Sequence, residues 1–137
     1  MKNIFKNKSV LVTGAGGTIG SEICKKLLEK EVSRLYCYDI SEYSLYRLSQ
    51  SFKDDPRVRY LIGDVRDRER LERSVSSSDI VIHAAALKHV SFCEFNPDEA
   101  YKTNVTGTQN IVDCCRKSNV DHCVLISTDK AVNPTSV

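Results

Sequence analysis

Ser9-Val10-Leu11-Val12-Thr13-Gly14-Ala15-Gly16-Gly17-Thr18-Ile19-Gly20 is the stretch that decides how the rest of the chain is read. Val10 to Val12 is a short apolar run of the kind buried on both faces of a parallel sheet. Four glycines follow, Gly14, Gly16, Gly17 and Gly20, and an amphipathic helix then begins. Strand, glycine turn and helix N-terminus in that order make an anion site. Backbone N–H groups point outward, the helix dipole favours negative charge, and the missing Cβ atoms let a pyrophosphate come close. A dinucleotide is the ligand this geometry suits best. The common G-x-G-x-x-G spacing is not met, because counting from Gly14 its last position falls on Ile19. The pattern present is Thr13-Gly14-x-x-Gly17-x-x-Gly20. The competing reading of such a run is an ordinary tight turn in some other α/β protein.

Working outward, Ile19, Ile23 and Leu27 recur every four residues with Leu28 beside them, which predicts a helix packed on a sheet. Arg34 to Tyr38 reads as a second strand and ends on Asp39, about 20 residues after the last motif glycine, where an acid accepts from the adenosine ribose hydroxyls. An acid there repels a 2′-phosphate and favours NAD over NADP. The alternative is that Asp39 merely starts the next turn. Ser41 to Leu48 reads as a second helix with Ser41 as its N-cap, and Asp54-Asp55-Pro56 breaks it. Val58 to Ile62 is a third strand, followed by Gly63-Asp64-Val65 at its carboxyl end, where ligands sit in open parallel sheets. Asp64 is read in two ways, as an acceptor for the adenine amino group or as a cap for the charged helix over Arg66 to Val75.

Asp79 to His83 is a fourth strand running into Ala84-Ala85-Ala86, small residues that let backbone approach a cofactor. His83 is read as a structural residue near that cofactor rather than a catalytic base. After Asn96-Pro97, Asp98 to Lys117 reads as one long helix with Ala100, Asn104, Thr108, Ile111 and Cys115 on one stripe. Asn104 and Gly107 are unusual in a helix interior, which suggests a hydrogen bond from Asn104 to a neighbouring loop and close packing at Gly107. Cys123 to Ser127 is a fifth strand ending in Thr128-Asp129-Lys130. Alternation of five strands with helices predicts an α/β, doubly wound parallel sheet, a Rossmann fold ordered 3-2-1-4-5.

Composition narrows the class. The 137 residues are 41% hydrophobic and 28% charged with a net charge of +2, values of an ordinary globular domain that give no support to nucleic-acid binding. No stretch has the length of a membrane span and no apolar segment follows the N-terminal lysines, so a cytoplasmic location is expected. The six cysteines include no C-x-x-C pair, and reduced, mostly buried thiols without a zinc site are expected.

Thr13-Gly14-x-x-Gly17-x-x-Gly20, Asp64, His83-Ala84-Ala85-Ala86, Asn104 and Ser127-Thr128 together resemble the extended short-chain dehydrogenase/reductases. Within them, Ala86-Leu87-Lys88-His89-Val90, Ser127-Thr128-Asp129-Lys130-Ala131-Val132-Asn133-Pro134 and Asp39-Ile40-Ser41-Glu42-Tyr43-Ser44-Leu45-Tyr46 are similar to the polysaccharide-biosynthesis, capsule and O-antigen branch of UDP-N-acetylglucosamine 4,6-dehydratases, some of which also invert C5. Ser91 departs from the proline usual in that branch. The resemblance implies that NAD(P) is held by Thr13, Gly14, Gly16, Gly17, Thr18, Ile19, Gly20, Asp39, Ser41, Asp64, Val65, Ala84, Ala85, Ala86 and Asn104, and that Lys88 and His89 meet a UDP-sugar substrate. It further implies a hydride passed from sugar C4 to the nicotinamide, loss of water across C5 and C6, and return of the hydride to C6. Asp129 matches the general acid at the C6 hydroxyl, Lys130 the base at C5, and Thr128 the hydrogen-bonding partner of the C4 oxygen. An acid and a base side by side at a strand tip can address adjacent carbons; without the resemblance they would read as a surface ion pair.

The resemblance implies continuation past Val137 into a Tyr-x-x-x-Lys or Met-x-x-x-Lys motif and a C-terminal substrate domain. Residues 1–137 are therefore expected to be a cofactor-binding domain that does not complete the cycle alone. A reading from a different class is a stand-alone dinucleotide-binding or interaction module. With no sixth strand beside it, the fifth strand presents an open apolar edge, and the chain is expected to form homo-oligomers through that edge. Light scattering at high protein concentration checks this: a mass above that of the monomer is expected, and a strictly monomeric mass contradicts it.

Overall fold

Alternating side chains along Val10-Leu11-Val12 feed two separate cores, one on each face of a parallel sheet. In the computed structural model of the protein, which describes residues 3–129, 132 and 133, five strands form that sheet: β1 (Ser9–Thr13), β2 (Arg34–Asp39), β3 (Val58–Ile62), β4 (Ile80–His83) and β5 (His122–Leu125). Their order is β3-β2-β1-β4-β5, every neighbouring pair is parallel, and the expected topology is met. The chain reverses its direction of winding between β1 and β4, the place where such sheets open a crevice at their carboxyl ends.

The helices are α1 (Thr18–Leu28), α2 (Glu42–Phe52), α3 (Arg68–Val75), α4 (Val90–Phe95), α5 (Pro97–Tyr101) and α6 (Gly107–Lys117), with a π-helical turn over Lys102–Thr106 joining the last two. On one face, Val10, Val12, Leu35, Cys37, Ile80 and Ile82 meet Cys24 and Leu27 of α1 and Leu45, Leu48 and Phe52 of α2. On the other, Leu11, Tyr38 and Val81 meet Leu71 and Val75 of α3 and Ile111, Cys114 and Cys115 of α6. Each such buried aliphatic side chain contributes about 1.5–3 kcal/mol. All six cysteines are free thiols, and only Cys123 is exposed.

Local rules place the ends. The Ser41 hydroxyl accepts the Ser44 N–H at 3.1 Å and caps α2 as expected. Lys53 and Asp54 then take left-handed backbone, with φ of 44° and 59°, which turns the chain ahead of Pro56. The cap of α3 is Asp67, whose Oδ1 accepts the Arg70 N–H at 3.0 Å, so the capping role considered for Asp64 belongs three residues on. Ile19, expected on the sheet-facing row of α1, is 55% exposed.

Three further elements differ from expectation. The segment before Asn96 forms the short helix α4. The long helix is interrupted by the π turn, in which the Gly107 N–H reaches back to the Lys102 carbonyl, five residues earlier. β5 ends at Leu125, although the Ile126 N–H still donates to the His83 carbonyl at 2.9 Å. Every residue of β5 is exposed. Among the described residues no helix is long and apolar enough to cross a membrane.

Gly63 follows β3 directly beneath the Tyr38 ring, and a Cβ there would overlap the ring. The ring cannot retreat, because Tyr38 is fully buried and its hydroxyl donates to the Asp64 carbonyl at 2.9 Å. Burial also pushes the Tyr38 phenol up to about 12. Gly63→Ala should therefore lower stability by about 1–3 kcal/mol, read as a lower urea midpoint; an unchanged midpoint contradicts this packing.

Candidate functional site

The glycine turn is fitted to the backbone behind it. Gly14 has φ of +67°, and a Cβ on it would lie 2.7 Å from the Ala85 nitrogen and 2.8 Å from the Ala84 carbonyl carbon. Only glycine meets both demands. Gly20 packs still more closely on the Gly14 carbonyl, which a Cβ would approach to 2.0 Å and which also accepts the Gly17 N–H at 3.1 Å. Gly17 is the N-cap of α1 and has no side chain to bond the first-turn amides. The N–H groups of Thr18, Ile19 and Gly20 thus stand at the helix start with the positive end of the dipole and no side-chain cap. Thr18 and Ile19 are exposed there.

Asp39, at the carboxyl end of β2, closes this cradle. Its Oδ2 accepts the Gly16 N–H and its Oδ1 the Ser41 N–H, both at 2.9 Å. Each oxygen keeps acceptor capacity for a further donor such as a ribose hydroxyl. A glycine cradle with an acid at its rim fits a dinucleotide by its donor set and its shape.

At the end of β4, Ala84 and Ala85 are half-buried and Ala86 exposed. Asn104, in the π turn, clamps the next residue: its Oδ1 accepts the Leu87 N–H at 2.8 Å and its Nδ2 donates to the Leu87 carbonyl at 2.9 Å. The expected bond from Asn104 to a neighbouring loop is present. Gly107 does permit close packing, since a Cβ there would lie 2.7 Å from Val65 Cγ2. His83 is buried, with Nδ1 2.6 Å from Thr13 Oγ1, and burial pulls its imidazole from 6.5 down to about 4. Its burial and its bonds to Thr13 and Thr108 fit the structural role expected for it.

Asp64 faces Arg66. Its Oδ1 accepts the Arg66 N–H at 2.9 Å and its Oδ2 the Arg66 Nε–H at 2.8 Å, while Arg66 also pairs with Glu99 of α5. Burial works to raise the Asp64 carboxyl, but the Arg66 bonds outweigh it and hold it below the usual carboxylate value. Val65 points into the core, and its carbonyl accepts Asn110 Nδ2 at 3.0 Å.

Lys88 and His89 are exposed just beyond the clamped Leu87, and the His89 ring lies edge-on to Phe92 at 6.1 Å. Thr128 and Asp129 are exposed after β5, with Thr128 Oγ1 3.3 Å from Asp129 Oδ1. Lys130 lies outside the described residues. Among the described residues no group of His, Cys, Asp and Glu could hold a metal ion. Sequence reasoning missed Arg66 and the partnership of Thr108 with His83. The second had a signal, two polar residues, Asn104 and Thr108, on an otherwise apolar helix stripe.

The sheet order, glycine turn and rim acid define an α/β domain of the short-chain dehydrogenase/reductase type. The chain belongs to the polysaccharide biosynthesis protein family, which matches residues 10–137. It is 47% identical over its whole length to an uncharacterized membrane protein of Methanocaldococcus jannaschii, spanning 41% of that protein. It is 42% identical to an inverting UDP-N-acetylglucosamine 4,6-dehydratase of Campylobacter jejuni, covering 98% of this chain and 40% of the relative. Among solved structures, a dTDP-glucose 4,6-dehydratase from Streptomyces venezuelae with NAD bound superposes with a TM-score of 0.81 at 31% identity, over 88% of this chain and 39% of that one. The chain thus spans about two fifths of the length of these relatives.

The buried His83 makes stability depend on pH. Its folded pKa is depressed, so the unfolded chain takes up the proton first; stability is full above about pH 6.5 and is lost as pH falls toward about 4, by about 3 kcal/mol in all. Urea titrations across that window should show the loss and His83→Gln should flatten it; an equal slope in both proteins contradicts a neutral buried imidazole.

Proposed function

We propose that residues 1–137 are the NAD-binding portion of a nucleotide-sugar 4,6-dehydratase, a lyase in its net reaction, or of an epimerase, of surface-polysaccharide synthesis. The observation that carries this reading is the glycine turn seated on Ala84 and Ala85 with Asp39 bound to the Gly16 amide. Thr13, Gly14, Gly16, Gly17 and the amides of Thr18, Ile19 and Gly20 would hold the pyrophosphate. Asp39, with Ser41 beside it, would receive the adenosine ribose. Asp64 and Val65 would border the adenine, and Ala84, Ala85, Ala86 and Asn104 would shape the path toward the nicotinamide. NAD, when bound, supplies the hydride acceptor.

In the same reading Thr128 hydrogen-bonds the C4 oxygen of the sugar, Asp129 protonates the departing C6 hydroxyl, and Lys130 removes the C5 proton. Lys88 and His89 border the UDP-sugar. In this reading the sugar-nucleotide domain and the Tyr/Met-x-x-x-Lys motif would lie outside residues 1–137, and residues 1–137 alone would bind cofactor without turning over substrate. Six free thiols suit a reducing cytoplasm.

Titration calorimetry with NAD and NADP tests the reading. NAD is expected to bind, NADP at least about tenfold more weakly because a 2′-phosphate meets the Asp39 carboxylate, and Asp39→Ala is expected to weaken NAD and to erase the preference. No heat with either nucleotide contradicts it.

A further inference from the structure

The hydrogen atoms around His83 can be assigned one by one. Thr108 Oγ1 donates its single proton to the Asn104 carbonyl, one turn earlier in the helix, at 2.6 Å. That oxygen therefore faces His83 Nε2, 3.2 Å away, with lone pairs only, and Nε2 must carry the ring proton. In a neutral ring Nδ1 is then an acceptor, and the proton between it and Thr13 Oγ1, 2.6 Å away, belongs to the threonine. Polarity runs one way from Thr13 through His83 and Thr108 to the Asn104 carbonyl, and the Asn104 side chain takes both backbone groups of Leu87.

The ends of this chain are informative. Thr13 is the last residue of β1 and precedes Gly14. Leu87 ends the segment that begins with Ala84 and Ala85, the two residues on which Gly14 packs. The inner member, His83, is 4% exposed, so water does not readily replace a lost partner. Thr13 and His83 are already opposite one another in the β1–β4 ladder, so the bond that adds a new tie is the one from the ring to Thr108, which joins the helix to that ladder.

We propose that Thr13, His83, Thr108 and Asn104 form one directional hydrogen-bond chain that ties the Asn104 clamp on Leu87 to the strand pair behind the glycine turn, making His83 and Thr108 positioning residues for the dinucleotide. The role rests on the NAD-binding reading above. The bonds themselves do not, and the two can be tested apart.

Three proteins suffice: the wild-type chain, Thr108→Val, which keeps the shape and removes the hydroxyl, and Thr108→Ser, which keeps the hydroxyl. Ring 15N NMR reads the His83 tautomer, and calorimetry reads NAD affinity. The wild type is expected to show the neutral Nε2–H tautomer. Thr108→Val should lose that single tautomer and raise the NAD dissociation constant about tenfold, as expected for a buried donor left unpaired. Thr108→Ser should restore both to within about twofold. A wild-type ring in the Nδ1–H or charged form at neutral pH overturns the chain of bonds, and does so even if Thr108→Val fails to fold. Thr108→Val binding NAD like the wild type, or Thr108→Ser failing to rescue, overturns the positioning role. Absence of NAD binding by the wild type overturns the functional reading and the positioning role with it, while the tautomer still reports on the bonds.

Discussion

Two strand tips are tied together by one carboxylate. Asp39 reaches from the end of β2 to the Gly16 amide, and its second oxygen holds the Ser41 amide at the start of α2. Charge-assisted bonds of this kind are shorter and stronger than neutral ones. They fix the glycine turn against the α2 turn, and Gly16 lies so close to Ser44 that no larger residue fits between them. The group read as the ribose partner is thus also the group that shapes the anion cradle. Its two duties are chemically the same, accepting N–H or O–H donors at the rim of the sheet.

Behind the turn the constraint is one of space. Gly14 rests on Ala84 and Ala85, and Gly20 rests on Gly14, so β1, α1 and the end of β4 approach as closely as main chain allows. The Asn104 clamp on Leu87 extends that order outward to the exposed Lys88 and His89. The π turn carrying Asn104 adds one residue to a helical turn, a device frequent at functional sites. Next to the π turn, Arg66 links Asp64 to Glu99 and connects the loop after β3 with α5.

Much of this was legible in the sequence because the signals were local and physical. Short segments of three to five residues, rich in apolar side chains, marked the strands, the glycine spacing marked the turn, and an acid about 20 residues later marked the rim. Alternation of strands with helices then fixed the sheet order through the handedness of parallel crossovers. Asn104 and Gly107 announced themselves by being poor helix residues. What was not legible depended on contacts distant in sequence. α4 has no polar cap and little periodicity over its six residues. The π turn carries Asn104, whose partner Leu87 is 17 residues away. Asp64 and Asp67 are both good caps by type, and in the structure Asp67 caps α3 while Asp64 bonds Arg66. Ile19 matched the apolar row of α1, yet its place in the first turn leaves it beside the open end of the sheet.

A dinucleotide bound as proposed lies against the glycine turn, the Asp39 rim and the segment leaving β4. Amide hydrogen exchange of the 137-residue protein with and without saturating NAD tests that placement most directly. Protection is expected to rise at residues 14–20 and 84–87 and at the Asp39–Ser41 turn, with α3 and the start of β5 unchanged. Protection confined to other segments, or no change anywhere, would contradict it.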